Sequence, residues 1–552
     1  MRYGRPIALV LVTSALAVAT AVGEPPAATK STPPAAAKAA PAGTIEKAAQ
    51  AGHLKIAIAK DTTGITEPLR PDGYPDYYPA INQRCTAGVT PENNAAVLCW
   101  KAFGPWSIKK EHRAEYFRRL GMQSLPDKGD YFRDWYRFFK ENAVANPPKR
   151  QDYREELEQM TARPWSRHDH PLWTKWLEVN EKPLALLVEA SKRSKFYDPL
   201  IQDAEYQSLY LRLTPGIMDR RDAVEALRAR AMLHAGEDRL DDAISDILAA
   251  HRLARFSNQE PSWFEALGLR AADSYLANDR ALLKYADLNA EQFARMRKEL
   301  ASLPPLPSVA SVVDRYERLV CMDAIILCAT QGPAKTKKNL ADKDKQLLRR
   351  LLAIDPSANV DWNTVARTCN SWCDRVVSTF RLSPGPARQQ AVNDLEEELK
   401  NLRTALLDGD TAPQAASPEA LSAEVGDLFT LLLVPDLLIM TKGEDQAIAR
   451  QDLTKIAYAL AAYNRDFGSY PASLTDLVSM YLPQVPDDVF CGAPFVYRRE
   501  GTGYLLYSVG MNGKDEGGKG YEDRKNNESW DDIAVRFEAK PPVAVGKHMA
   551  PR

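Results

Sequence analysis

The stretch "YALAAYNRDFGSYPASLTDLV" at 458–478 constrains the fold more than any other, because it ends one helix and starts another. Leu453, Ile456, Leu460 and Tyr463 recur at helical spacing and draw a single apolar stripe. Gly468 follows the last turn, where a residue without Cβ adopts the left-handed conformation that closes a helix. Pro471 prevents continuation, with Tyr470 folding back before it. Ser473, with Asp476 three residues on, writes a capping box for a short second helix. Beyond it, "FVYRREGTGYLLYSVG" holds two β-rich runs around "REGTG", a hairpin signature. These features predict a helix with a hairpin packed on it, an α+β unit over 423–540.

The rest of the chain reads as helix. The segment 44–200 is irregular, then helical; "GVTPENNAAVLCWKAFGP" places Thr90 as N-cap, Pro91 at the first helical position and Gly104-Pro105 as the stop. Tyr74, Tyr77 and Tyr78 sit in a turn-rich stretch before it. The segment 201–406 is a helical array. In it, "LRARAMLHAGEDRLDDAISDILAAHRLARF" predicts two helices turning at Gly236, with Ala231, Gly236, Ala243 and Ala250 where paired helices cross closely. This stretch resembles one tetratricopeptide-like repeat, and "SWFEALGLRAADSYLANDRALLKYA" reads as a degenerate second copy. The polar, Pro-containing stretch 407–422 reads as a linker, and 541–552 as a tail. The fold class expected is therefore mainly α, with a C-terminal α+β unit.

At the other end, Arg2 and Arg5 precede an apolar run from Ile7 to Val22, which reads as a signal peptide over 1–23. Residues 24–43 are rich in Pro and Ala and read as a semi-rigid tether. The chain is then expected to be exported, periplasmic or extracellular, with no membrane span in the mature form. Lys+Arg is 72 and Asp+Glu 73, so no basic surplus points to nucleic acid. Seven cysteines in an oxidising compartment invite disulfides. Cys85 and Cys99 flank a short loop and form a candidate pair. Cys321 and Cys328 fall on one helical stretch, Cys369 and Cys373 on another, and an antiparallel packing of the two would let them bridge. That leaves Cys491 alone. Zinc is the weaker expectation, since no CxxC spacing occurs and the histidines are scattered.

The block at 440–537 resembles the soluble domain of the major pseudopilin of bacterial type II secretion. The resemblance rests on "AIARQDLTKIAYALAAYNRDFGSYPASLTDLVSMYLPQVPDDVFCGAPFVYRREGTGYLLYSVGMNGKDEGG". It implies a long helix on a small antiparallel sheet and a calcium-binding loop between strands. "LFTLLLVPDLLIM" at 428–440 looks like the latter half of that family's apolar N-terminal helix. It lacks a processing site, carries Asp436 and is too short to span a bilayer, so it is expected as a buried helix. "GVTPENNAAVL", "YFRRLGM", "RARAMLHAG" and the C-terminal block also resemble a family of large exported proteins of planctomycete bacteria, which implies export and no particular activity.

The expected calcium ligands are Val509 (through its carbonyl), Asn512, Asp515, Asp531 and Asp532, with Asp523 a further oxygen donor; the pseudopilin resemblance implies Val509, Asn512 and Asp532, and the others are side-chain oxygens of the same loop. Here Asn512-Gly513 stands where the family usually has Asp-Gly. Calcium takes six to eight oxygens, so an acidic, Gly-rich loop suits it. No nucleophile elbow, phosphate-cradling loop or H-E-x-x-H motif is present. His168 and His170 flank Asp169 without a third ligand, and Cys491 has acidic neighbours that would raise its thiol pKa. The expected function is an exported interaction or scaffold protein of the cell envelope, more a binder than an enzyme, taking a protein or peptide partner. The alternative is an extracytoplasmic hydrolase with its site between the helical body and the C-terminal unit.

Overall fold

The computed structural model describes residues 54–142, 150–203, 208–209, 215–256, 262, 265–266, 279–333, 344–355, 358–407, 417–520, 523–524 and 528–537. The readings of 1–23, 24–43 and 541–552, and most of the degenerate repeat, fall outside them. The architecture is mainly helical, with a small antiparallel sheet near the C-terminus. The longer helices are α1 (Tyr77–Cys85), α2 (Ala95–Phe103), α3 (Arg150–Ala162), α4 (Pro171–Val179), α5 (Glu181–Ser191), α6 (Ile217–Gly236), α7 (Leu240–Arg255), α8 (Ala290–Ala301), α9 (Arg318–Gln331), α10 (Trp362–Arg381), α11 (Pro386–Leu407) and α12 (Pro418–Phe467).

The start of α2 differs from expectation. Its N-cap is Asn94, not Thr90, and Thr90–Asn93 forms the preceding turn. Tertiary structure moved the cap. The Asn94 side chain accepts from the Tyr197 N–H at 2.9 Å and donates to the Tyr197 carbonyl at 3.0 Å, fixing the point of helix entry. Gly104 ends the helix at φ 77° as expected. Tyr74, Tyr77 and Tyr78 are all buried in the core.

Helices α6 and α7 form an antiparallel hairpin. Ala231, Ala243 and Ala250 are fully buried there. The turn itself is not made by Gly236, which is the last residue of α6; Asp238 takes the left-handed conformation, at φ 61°. Gly236 is small for another reason. A Cβ there would lie 2.0 Å from the backbone oxygen of Trp165, which precedes α4. Arg230 and Asp246 tie the hairpin together through two hydrogen bonds of 2.8 and 2.6 Å. His234 stands 3.5 Å from the same carboxylate, and burial pulls its pKa below the usual histidine range.

The 50-residue α12 is about 75 Å long at 1.5 Å per residue. Ser417 caps it and Pro418 occupies its first turn, so it begins inside the stretch read as a linker. Residues 428–434 are buried all round, against the helical body, as a helix without a polar face must be. No helix among the described residues is long and apolar enough to cross a membrane. The early part of α12 packs on α10, where Gly426 leaves room for Thr368, and also contacts α11. Its final part carries the C-terminal sheet. The helix thus serves both halves of the molecule rather than starting a detached domain.

At the C-terminal end the local reading holds. Leu453, Ile456 and Leu460 are fully buried, each contributing about 2 kcal/mol through burial. Gly468 closes α12 at φ 70°, its N–H donating to the Asn464 carbonyl. Ser473 and Asp476 make the capping box of a 3-10 turn, Leu474–Leu477. Tyr470 packs edge-on against Tyr504 at 4.8 Å. Strands β1 (Val496–Glu500), β2 (Gly503–Ser508) and β3 (Ile533–Phe537) form a sheet of order β1-β2-β3. Glu500 pairs with Gly503 across a two-residue turn in which Gly501 sits at φ 59°. Strand β2 is buried throughout and, with β3, rests on α12.

Candidate functional site

Two places gather chemistry: a cleft between the helical body and the C-terminal unit, and the loop that joins β2 to β3.

The cleft has a volume of about 740 Å³. Helix α7 supplies His251 and Arg255, α8 supplies Arg297 and Lys298, and α12 supplies Arg450, Thr454, Lys455 and Tyr458. Arg280 enters from the short helix Asp279–Tyr285, and Tyr481, Leu482 and Pro483 close the C-terminal side. Six side chains that are always cationic near neutral pH line it together with His251, and none of the lining residues is a carboxylate. The wall between the cations is apolar: Ala294, Leu300, Ala301, Leu303 and the ring of Tyr458.

Packing holds this geometry. Tyr458 is buried against Phe293, with ring centres 5.7 Å apart. Arg297 donates to the Tyr481 carbonyl at 3.4 Å, bridging α8 to the C-terminal unit. Tyr481 donates its hydroxyl to Asp466 at 2.7 Å. Burial, and then the bond to that carboxylate, pushes the Tyr481 phenol up to about 12, so it stays protonated. Arg280 donates to the carbonyl of Ala534 in β3, a second link across the two halves. Lys455 is paired with Asp452 at 2.7 Å, outside the lining. Sequence reasoning missed this site because its cations come from segments as far apart as Arg255 and Lys455, and each one alone reads as part of a solvated helix face.

In the β2–β3 loop the expected ligands separate into two groups. Asp531 and Asp532 meet a residue that sequence reasoning passed over, Glu516. One oxygen on each of the three (Glu516 Oε2, Asp531 Oδ1 and Asp532 Oδ1) is buried without a hydrogen-bond partner. The other Asp532 oxygen accepts from the N–H groups of Glu516 and Gly518, at 3.1 and 2.7 Å. Burial, and then the Glu516 carboxyl beside it, raise Asp532 to about 6; burial raises Asp531 as well. Gly510 gives way to this cluster: a Cβ there would lie 2.3 Å from the Asp531 carbonyl oxygen.

Asn512 and Asp515 instead shape the loop. The Asn512 amide donates to Glu516 at 2.8 Å and its oxygen accepts from Lys514 N–H. Asp515 accepts from the Tyr507 hydroxyl at 2.7 Å and from Gly517 N–H at 2.8 Å. Asp523 accepts from Gly520 N–H. Val509 is buried, its N–H donating to Asp488. Asp488, also unforeseen, is 1% exposed and in addition accepts from Ser508 and Phe490, pinning the 488–494 turn to the end of β2. The three orphaned carboxylate oxygens suit a hard cation. The carboxylates do not all come within 4.8 Å of one another, so one ion would engage all three only if the loop drew them closer.

The remaining sequence candidates are structural. His170 packs its ring on Trp165 at 5.4 Å, and Asp169 accepts from Ser166 N–H and hydroxyl in a tight turn. Cys85 and Cys99 are buried and not joined in a disulfide, and burial raises Cys99 to about 12. Both belong to the hydrophobic core. Cys491 is exposed and its pKa is raised, by partial burial first and by Asp488 second. Compared with known proteins, the chain matches no family model, no curated protein and no solved structure.

Proposed function

We propose that this chain is an interaction protein of the cell envelope that holds an acidic segment of a partner protein in the cleft between its helical body and its C-terminal unit. The observation that carries the reading is the lining itself: Arg255, Arg280, Arg297, Lys298, Arg450 and Lys455 around an apolar wall, with no carboxylate among them. Such a surface recognises Asp- and Glu-rich peptide through charge-assisted hydrogen bonds while the wall packs the aliphatic stems. Supporting the tetratricopeptide-like part of the reading, α7 contributes to the cleft from a helix hairpin. The hydrolase alternative finds no support in this cleft, where a general base or nucleophile would have to come from His251, Thr454 or Tyr458, without a carboxylate among the lining residues to orient it.

The test is fluorescence anisotropy with a labelled Glu-rich peptide and a Lys-rich control of equal length. The acidic peptide is expected to bind and to weaken as salt is raised. The double variant Arg297→Glu/Lys298→Glu is expected to weaken it about tenfold or more, since like charges in a cleft repel the ligand. Equal binding of both peptides, or no change in the variant, would remove the proposal.

The same reading includes the pseudopilin-like character of the C-terminal unit and calcium in its loop. It is supported by the helix-on-sheet packing and by the orphaned oxygens of Glu516, Asp531 and Asp532. Those carboxylates, drawn closer by the loop, would hold the ion, which when bound supplies charge neutralisation and crosslinks the loop to the start of β3. A pH dependence follows. A carboxyl raised from 3.8 to about 6 favours the protonated folded state, so its contribution to stability falls as pH rises between those values. Calcium binding requires the proton to leave. Affinity should therefore drop about tenfold per pH unit below 6. With chelator present, the loop-dependent part of the melting temperature should be higher at pH 5 than at pH 7.5, and with calcium the order should reverse. Calorimetric titrations at the two pH values check this; calcium binding of equal strength at both would contradict it.

A further inference from the structure

The three thiols of Cys321, Cys369 and Cys373 lie buried between α9 and α10, their sulfurs all within 4.8 Å of one another. We propose that they form a three-coordinate site for a soft monovalent cation, copper(I). Four observations converge on it. Cys369 and Cys373 are one turn apart and share the face of α10 that meets α9. A π-helical turn, Val313–Glu317, directly precedes α9 and shifts its phase; such turns recur at functional positions. Among the described residues no fourth Cys, His, Asp or Glu joins the set. Finally, Arg318 brings a positive charge to a cluster that becomes anionic when its thiols ionise. Its guanidinium is held in place by the Asn370 side chain and by Asp374 at 2.7 Å and Asp314 at 3.1 Å.

The number and softness of the donors choose the metal. Zinc in a closed site takes four ligands, and these three cysteines are almost wholly withdrawn from solvent that could supply the fourth as water. Copper(I) accepts soft thiolates; with three of them the cluster carries a charge of −2, which Arg318 offsets in part. Binding of the ion releases the thiol protons to solvent. A disulfide would use only two sulfurs and leave the third beside it. Cys328, on the same helix as Cys321, lies outside the group.

The experiment uses the full chain, purified reduced and without oxygen, loaded with copper(I) as its acetonitrile complex and passed through a desalting column. One copper per chain is expected, with a sulfur-only shell of three in X-ray absorption and no displacement by equimolar zinc(II). Cys321→Ser, Cys369→Ser and Cys373→Ser should each reduce retained copper about tenfold or more, while Cys328→Ser and Cys85→Ser retain it. The wild-type absorption spectrum decides even where a serine variant fails to fold. Failure of the wild type to hold copper, a shell of four donors, or a Cys321 disulfide to Cys369 or Cys373 in protein isolated without reductant would overturn the assignment.

Discussion

Replacing Arg388 with methionine is expected to cost the folded protein about 3–5 kcal/mol, measured by urea unfolding. Arg388 is 3% exposed, near the start of α11, and its guanidinium is the cation between two buried acids of α12, Glu444 and Asp445. Glu444 also accepts from the Val309 N–H at 2.9 Å, at the start of the turn that leads into α9. Methionine keeps the apolar stem but takes the guanidinium away from two buried carboxylates. Desolvation then exceeds anything the thioether returns. A triple variant that also carries Glu444→Gln and Asp445→Asn should recover most of the loss, because the buried negative charges have gone. If Arg388→Met unfolds like the wild type, or the triple variant is no better than the single, the buried charges do not govern this joint.

The second large effect is at Gly236, and its sign opposes the local rule. A helical glycine replaced by alanine ordinarily gains about 1 kcal/mol from propensity. Here the new methyl would meet the Trp165 carbonyl oxygen at 2.0 Å, its carbon at 2.5 Å and its nitrogen at 2.8 Å, all of them backbone. Backbone cannot rotate aside as a side-chain tip does. Either α6 or the segment before α4 must shift, at a cost of about 3 kcal/mol as in overpacked cores. The Trp165 N–H bond to Met232, already 3.3 Å long, would break first. Gly236→Ala is therefore expected to lower the urea midpoint and to move the Trp165 fluorescence. A stabilised Gly236→Ala variant would show that the approach relaxes freely.

How far the sequence reached depended on the range of the interaction involved. The end of α12, the left-handed Gly468, the Ser473 capping box and the β1–β2 turn were all legible, because each is decided by a few neighbouring residues. The N-cap of α2 was placed at Thr90 rather than Asn94, because Tyr197, more than a hundred positions away, holds Asn94 by its side chain. At the β2–β3 loop, Asp531 and Asp532 lie with Glu516, which the sequence does not single out, while Asp515, which it does, turns to Tyr507. One residue along an irregular loop turns a side chain to another side, and no periodicity marks which.

From its sequence alone, this protein was bound to be mainly helical, with a hairpin unit hung on a capped helix, since hydrophobic period, helix caps and turn residues act through the nearest few peptide units. Only the tertiary structure brought the cations of α7, α8 and α12 into one cleft, joined three cysteines from two helices, and ran α12 unbroken from the helical body into the sheet. Those outcomes depend on which faces meet across long stretches of chain, and that is settled by burial and packing, not by local pattern.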